Sequence, residues 1–266
     1  MDKRINIVYN SKNLGTFHTR INGENHSKGV YILHLDSDDY IELNTCETLY
    51  PHCKKQKYDL IAFAFFFLKS NNQKERRIPM LGEINYPSTD FFSCGLSNKV
   101  FKKSFLVHIN TLLLNIVGKI PNISMSEDGL KLIIIALNHP KYLGIDSALY
   151  NYVYNPKSIT SSFENPFKIR KDIKDIKKIQ LINKILFKHY HTQENSLFLQ
   201  NIKNHYKKIE KDLQRLYHHS KAYENKSFAY PINFIKSLHY THSIQTYIKT
   251  IIRIFLYLIT IGKIKL

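Results

Sequence analysis

The chain has 266 residues, 43% of them hydrophobic, and 39 Lys and Arg against 21 Asp and Glu, a formal charge of +18. That apolar share excludes a disordered chain and is enough to bury one full core and a small second one. Residues 1–165 carry 19 basic against 15 acidic side chains and residues 166–266 carry 20 against 6, so the part that attracts polyanions is C-terminal, and charge alone does not choose between nucleic acid and anionic lipid.

Met1 to Asn10 is polar and charged, without an apolar stretch of signal-peptide length, so the active face is expected in the cytosol. Within it Ile5-Asn6-Ile7-Val8-Tyr9 reads as a short strand, Thr16 to Ser27 as a polar helix or loop, and Val30 to Leu35 as a mostly buried strand ending in an acidic turn. Leu43 to Lys57 reads as a helix disturbed by Pro51, and the apolar run Leu60 to Phe67 as an interior strand. Ser70 to Pro79 is a polar, basic loop, Ser97 to Leu114 reads as a helix, and Leu130, Ile133, Ile134 and Leu137 recur at helical spacing within Glu127–Asn138. Tyr142–Ile145 and Tyr150–Tyr154 read as a closing pair of strands, and the alternation points to an α/β sheet.

After Pro166 the pattern changes to Lys-, Ile-, Leu- and Tyr-rich helices over Lys168–Tyr190 and Ser196–Tyr217, so a domain boundary is expected near residue 165. The apolar run Ile251–Ile261, flanked by Lys249 and Lys263, falls well short of the ~20 residues of a spanning helix. The mixture of basic and apolar residues over Phe234–Leu266 fits either an interfacial helix on an anionic membrane or ordinary packing against the rest of the protein.

Three cysteines, Cys46, Cys53 and Cys94, without a CxxC spacing, support neither a disulfide framework nor a thiolate zinc site, and a reduced, cytoplasmic protein is the simpler expectation. The 13 histidines form no HExxH arrangement and have no acidic partner at ligand spacing. Basic, tyrosine-rich helices over residues 168–221 can hold a single-stranded nucleic acid, but no nucleic-acid motif accompanies them, so no nucleic-acid partner is expected.

The sharpest local feature is Asp36-Ser37-Asp38-Asp39 at the carboxyl end of the strand Val30–Leu35, where open α/β sheets place ligands. Carboxylates in such a turn can hold a divalent cation against a diphosphate leaving group, or the turn can simply cap a following helix. The second feature is Ser126-Glu127-Asp128-Gly129 at the start of the next apolar helix. It reads either as ordinary N-terminal helix chemistry or as a carboxylate placed to take a proton from an attacking hydroxyl.

Asn13-Leu14-Gly15, then Arg20 with Gly23, then Lys28-Gly29-Val30-Tyr31-Ile32-Leu33-His34-Leu35-Asp36-Ser37-Asp38-Asp39-Tyr40 resemble, in order and spacing, the central signature of the family-2 glycosyltransferases. Ser97 to Leu106, Glu127-Asp128-Gly129, and Leu149-Tyr150-Asn151-Tyr152 with Ser158-Ile159-Thr160 are similar to the later motifs of the same family. The resemblance implies an α/β fold of the GT-A, Rossmann-like type with a mixed sheet over residues 1–165, followed by a basic helical C-terminal region over 166–266. It implies an inverting transfer from a nucleotide-diphosphate sugar, a UDP-sugar by expectation, to a lipopolysaccharide, lipooligosaccharide or capsule acceptor, glycan or lipid-linked. Mn²⁺ or Mg²⁺ is the implied cofactor.

By the same resemblance Asp36 and Asp38 belong to the DxD element, with Asp38 the first metal ligand, Asp36 and Asp39 beside it, and Asp128 the catalytic base with Glu127 second. Arg20 either serves the donor diphosphate or packs locally. Family members usually begin with two further strands that cradle the nucleotide. Ile5–Tyr9 corresponds to the third strand, so the sheet is expected to lack its first strands, and an upstream polypeptide becomes a possible partner. The expected place of work is the cytoplasm, peripheral to the inner face of the membrane. The alternatives are a catalytically silent remnant that binds membrane or a partner chain and, resting on charge alone, a nucleic-acid-binding protein.

Overall fold

A computed structural model describes residues 2–70, 73–84, 95–155, 165–190, 192–224 and 229–260. The chain divides into two compact units, Met1–Asn155 with Ile182–Leu199 and Pro156–Leu181 with Gln200–Leu266.

The first unit is built on a mixed sheet. Its axis is β3 (Leu60–Leu68), whose near-continuous apolar sequence suits a strand covered on both faces. On one side β3 pairs antiparallel with β6 (Lys99–Lys102), which in turn pairs with β1 (Tyr31–Leu33). On the other side it runs parallel to β7 (Tyr142–Val153), with a register irregularity between Phe63 and Phe65. β7 also pairs antiparallel with β2 (Tyr40–Ile41) and β5 (Gly82–Ile84), and β4 (Lys74–Arg77) pairs with the far end of β3. Ile61, Phe63 and Phe65 alternate onto one face and bury against Leu49, Val100, Leu149 and Tyr150. Leu49 comes from α2 (Thr45–Lys54), which carries Pro51 within it. The helices nearest the chemistry are α1 (Gly15–His26), α3 (Lys103–Val117) and α4 (Glu127–Leu137).

The second unit is helical. It draws on α5 (Pro166–His189) and α6 (Gln193–Glu224), and contains α7 (Ala229–Leu238) and α8 (Ile244–Ile259). A small aromatic core joins Ala222, Tyr230, Phe234 and Tyr257, with Tyr230 and Tyr257 stacked at 4.4 Å. None of the described helices is long and apolar enough to cross a membrane.

The α/β class, the mixed sheet and the helical C-terminal region agree with the sequence reading. Several elements differ. Ile5–Tyr9 is not a strand: it pairs with nothing in the described sheet and its apolar side chains are exposed. An unpaired extended segment leaves its backbone groups to water, which no single strand sustains as regular structure. The strand expected over Val30–Leu35 contracts to Tyr31–Leu33. Lys74–Arg77, read as loop, is a strand, because its backbone completes the far edge of β3. The helix expected from Ser97 begins at Lys103, since Lys99–Lys102 are drawn into the sheet between β1 and β3. The two closing strands are one, β7, whose irregular register absorbs the break between them. Cys94, Ser158-Ile159-Thr160 and Lys263 lie outside the described residues.

Candidate active site

The loop after β1, the turn before β6 and the N-terminus of α4 come together because β1 and β6 are antiparallel neighbours, which sets the end of one beside the start of the other. Into this junction α1 projects Arg20. Its Nη2 donates to Asp36 Oδ1 at 2.8 Å and its Nη1 to Glu127 Oε1 at 2.9 Å, with a further bond from Nη1 to Asp128 Oδ1. One guanidinium thus joins the acidic turn after β1 to the acidic start of α4, two features 90 residues apart that the sequence could only list separately.

The α4 terminus is not the ordinary capped end that its serine suggests. Ser126 makes no side-chain cap bond and lies in the left-handed region, φ 59°. A non-glycine residue there costs roughly 1 kcal/mol or more, a strain typical of places where the backbone aims a side chain. Here it presents Glu127 and Asp128 in the first turn, where the helix dipole favours negative charge.

Three carboxylates share one cation, and burial acts on the two at the start of α4. Glu127 is pushed up to about 7, first by burial and then by Asp128, against the pull of Arg20. Burial also raises Asp128, again partly offset by Arg20. Burial opposes the charge of Arg20, yet Asp128, Asp36 and Glu127 together raise its pKa. The cluster therefore keeps a proton near neutrality, which titrates as a property of the group.

Gly95 closes the junction from the side of β6. It has φ 61°, which strains any side chain, and a Cβ there would lie 2.9 Å from Asp128 Oδ2, so a substitution would also make that carboxylate shift. Nearby Lys99 is buried, with Nζ donating to the Gly95 carbonyl and to Asn98 Oδ1 at 2.8 Å each.

Beneath Arg20, also on α1, Glu24 is buried and accepts from Lys131 Nζ on α4 through both oxygens, from Asn110 Nδ2 on α3 at 2.8 Å, and meets His34 Nε2 at 2.9 Å. Burial alone would raise this carboxyl, but the His34 bond and the Lys131 charge hold it down at about 2. Burial lowers Lys131 in turn. This network ties α1, α3 and α4 together below the site; sequence reading missed it, and the only local sign was a lone lysine on an otherwise apolar helix face.

The remaining residues of the acidic turn diverge. Asp39 accepts from Tyr150 Oη at 2.6 Å and from the Val153 backbone N–H at 2.8 Å, which anchors the turn to β7. Its carboxyl is raised by burial, those two bonds pulling the other way. Asp38 is exposed and accepts from Asn155 Nδ2 at 3.0 Å.

Among the described residues no three carboxylate, imidazole or thiolate side chains converge as a metal cage. Mg²⁺ and Mn²⁺ at a phosphate site need only one or two protein carboxylates, the rest of the shell coming from phosphate oxygens and water. The hard oxygens of Asp38 and Asp36 fit that requirement. Asp39 would join them only by giving up Tyr150 or Val153.

Over residues 1–112 the chain matches the family model described as glycosyl transferase family 2. No curated protein matches it. Among solved structures it is similar to S. aureus TarS 1-349 in complex with UDP, at 14% identity, covering 95% of this chain and 73% of that one with a TM-score of 0.44. The complex of the same protein with UDP-GlcNAc gives 14% identity, 92% and 72% coverage, and a TM-score of 0.45. Likeness at that level leaves the chemistry to be read from the site's own residues.

Proposed function

We propose, from the match of residues 1–112 to the family model described as glycosyl transferase family 2, that this chain transfers a sugar from a nucleotide-diphosphate donor to a glycan or lipid-linked acceptor with inversion. The observation that carries the reading is the convergence of Arg20, Asp36, Glu127 and Asp128 at one junction of the sheet.

In this reading the acceptor hydroxyl attacks the anomeric carbon, the bond from that carbon to the diphosphate oxygen breaks, and the hydroxyl proton passes to Asp128. Burial makes Asp128 a stronger base than an exposed aspartate. Glu127, pushed up to about 7, is the second choice and keeps the cluster from carrying three full negative charges near the donor. Arg20 orients both carboxylates and supplies a cation at the junction where the diphosphate would depart. Asp38 and Asp36 would hold Mn²⁺ or Mg²⁺, which when bound neutralises charge developing on the diphosphate. Asp39, tied to Tyr150 and Val153, fixes the turn that carries them.

The acceptor class is a cell-surface glycan, lipopolysaccharide, lipooligosaccharide or capsule, and the reaction runs at the inner face of the cytoplasmic membrane with a UDP-sugar as first choice of donor. The division into a catalytic part over residues 1–165 and a basic helical part over 166–266 belongs to the same proposal.

A second reading, a catalytically silent protein that binds membrane or a partner chain, is favoured by the unpaired, exposed Ile5–Tyr9 segment. The two separate in a donor-turnover assay that follows release of UDP from a panel of UDP-sugars with Mn²⁺. Turnover that is lost in Asp128→Asn while its folding is retained supports the transferase, and no turnover from any donor supports the silent reading.

A further inference from the structure

α8 packs through one face only. Thr250 and Tyr257 are buried, Ile254 joins the aromatic core, Tyr257 stacks on Tyr230, and Arg253 lies over the Phe234 ring at 6.0 Å. A different face is bare. Ile244, Ile248, Ile251, Phe255, Leu258 and Ile259 are between 44% and 79% exposed. At 3.6 residues per turn they fall within an arc of about 100°. A continuous apolar stripe of that width is what a helix turns toward a core or a bilayer, and it is uncommon to leave it in water.

The charge around the stripe selects its occupant. From Lys226 to Leu266 there are six Lys and Arg and no Asp or Glu, the last acid being Glu224. On α7, Lys236 is exposed beside the exposed Ile232 and Ile235. A second copy of the chain would bring this unrelieved positive charge against itself, whereas a surface of anionic headgroups neutralises it. Length sets the mode: 16 residues make a helix of about 24 Å, short of the ~30 Å hydrocarbon core, so α8 lies in the interface and does not cross it.

We infer that α8 is the membrane-docking element of this protein, its isoleucine, leucine and phenylalanine stripe entering the acyl boundary of an anionic bilayer while Lys236 and Lys249 meet the headgroups. This rests on the reading that the protein works at a membrane face, and it names the surface that takes it there.

The test is flotation of the full chain with vesicles of phosphatidylcholine alone or mixed with phosphatidylglycerol. Wild type floats with the anionic vesicles, and high salt reduces the fraction bound. The double variant Ile251→Gln, Phe255→Gln binds at least about tenfold more weakly, because two large apolar groups no longer enter the bilayer, and Lys249→Gln binds about fivefold more weakly. The three substituted side chains are exposed, so unchanged thermal unfolding of the variants separates loss of docking from loss of fold. Equal flotation with neutral vesicles, equal flotation of the double variant, or no flotation at all overturns the inference. So does a self-association, measured by sedimentation, that the double variant abolishes without any vesicle binding. Flotation reads no sugar transfer: a chain that docks but turns over no donor removes only the enzymatic reading, and one that turns over donor but does not dock removes only this one.

Discussion

Arg20 sets the behaviour of the site residue by residue, because one largely buried guanidinium balances three carboxylates. Removing it in Arg20→Met leaves those acids without their cation, and breaking such a pairing costs about 3 kcal/mol, read as the loss in urea unfolding at neutral pH. The loss shrinks on acidification, since protonated carboxyls no longer need the cation. Glu127 gives a pH signature of its own. Its carboxyl is raised from 4.5 to about 7 in the folded protein, so between those values the folded state holds more of its proton than the unfolded chain does. Stability is therefore greatest at the acidic end and falls as pH rises through the folded pKa, by up to about 3 kcal/mol. Glu127→Gln, measured by urea unfolding at pH 5 and pH 8, removes that dependence; an unchanged slope would place the proton on another group. Asp128→Asn lowers turnover about a hundredfold or more while leaving stability near wild type, because it removes a proton acceptor whose charge is already disfavoured by burial.

Elements place these residues, and their errors are felt at the site. Gly95→Ala forces a left-handed φ on an alanine and drives its Cβ toward Asp128. It is predicted to cost about 1–2 kcal/mol and to lower turnover more than stability alone explains, read by comparing a urea midpoint with UDP release. Below it, the Glu24–Lys131 pair joins α1 to α4. Lys131→Met strands a buried carboxylate and costs about 3–5 kcal/mol, whereas adding Glu24→Gln recovers part of that loss, a non-additivity that a double-mutant cycle in urea measures. Much of this level was legible in the sequence: the apolar run of β3 and the isoleucine spacing of α4 announce themselves. Lys74–Arg77 does not, because a basic edge strand is defined by the backbone it pairs with. Neither does the start of α3, since Lys99–Lys102 take their state from β1 and β3. Sequence also named the two acidic clusters and Arg20, but their meeting, and the buried Glu24 network that supports it, exist only once the sheet is closed.

At the scale of the whole molecule the sequence carries its charge unevenly, nearly balanced over residues 1–165 and strongly basic over 166–266. The stripe on α8 adds what charge alone could not choose, since apolar exposure beside lysine favours a lipid surface over nucleic acid, which offers no hydrocarbon to enter. In the first unit, the turn after β1 and the start of α4 together make the proposed nucleotide-diphosphate site. Asp38 is the residue to change, because its exposed carboxylate is available to a metal and contributes little to the fold. The most direct measurement is thermal unfolding of wild type and Asp38→Ala, each with and without UDP plus Mn²⁺. At a hundredfold excess over its dissociation constant, ligand stabilises wild type by about 2.7 kcal/mol. Wild type is expected to show that shift and Asp38→Ala to lose it, with the two unliganded proteins melting alike. An equal shift in both would contradict the assignment of Asp38, and no shift in wild type would contradict the donor site itself.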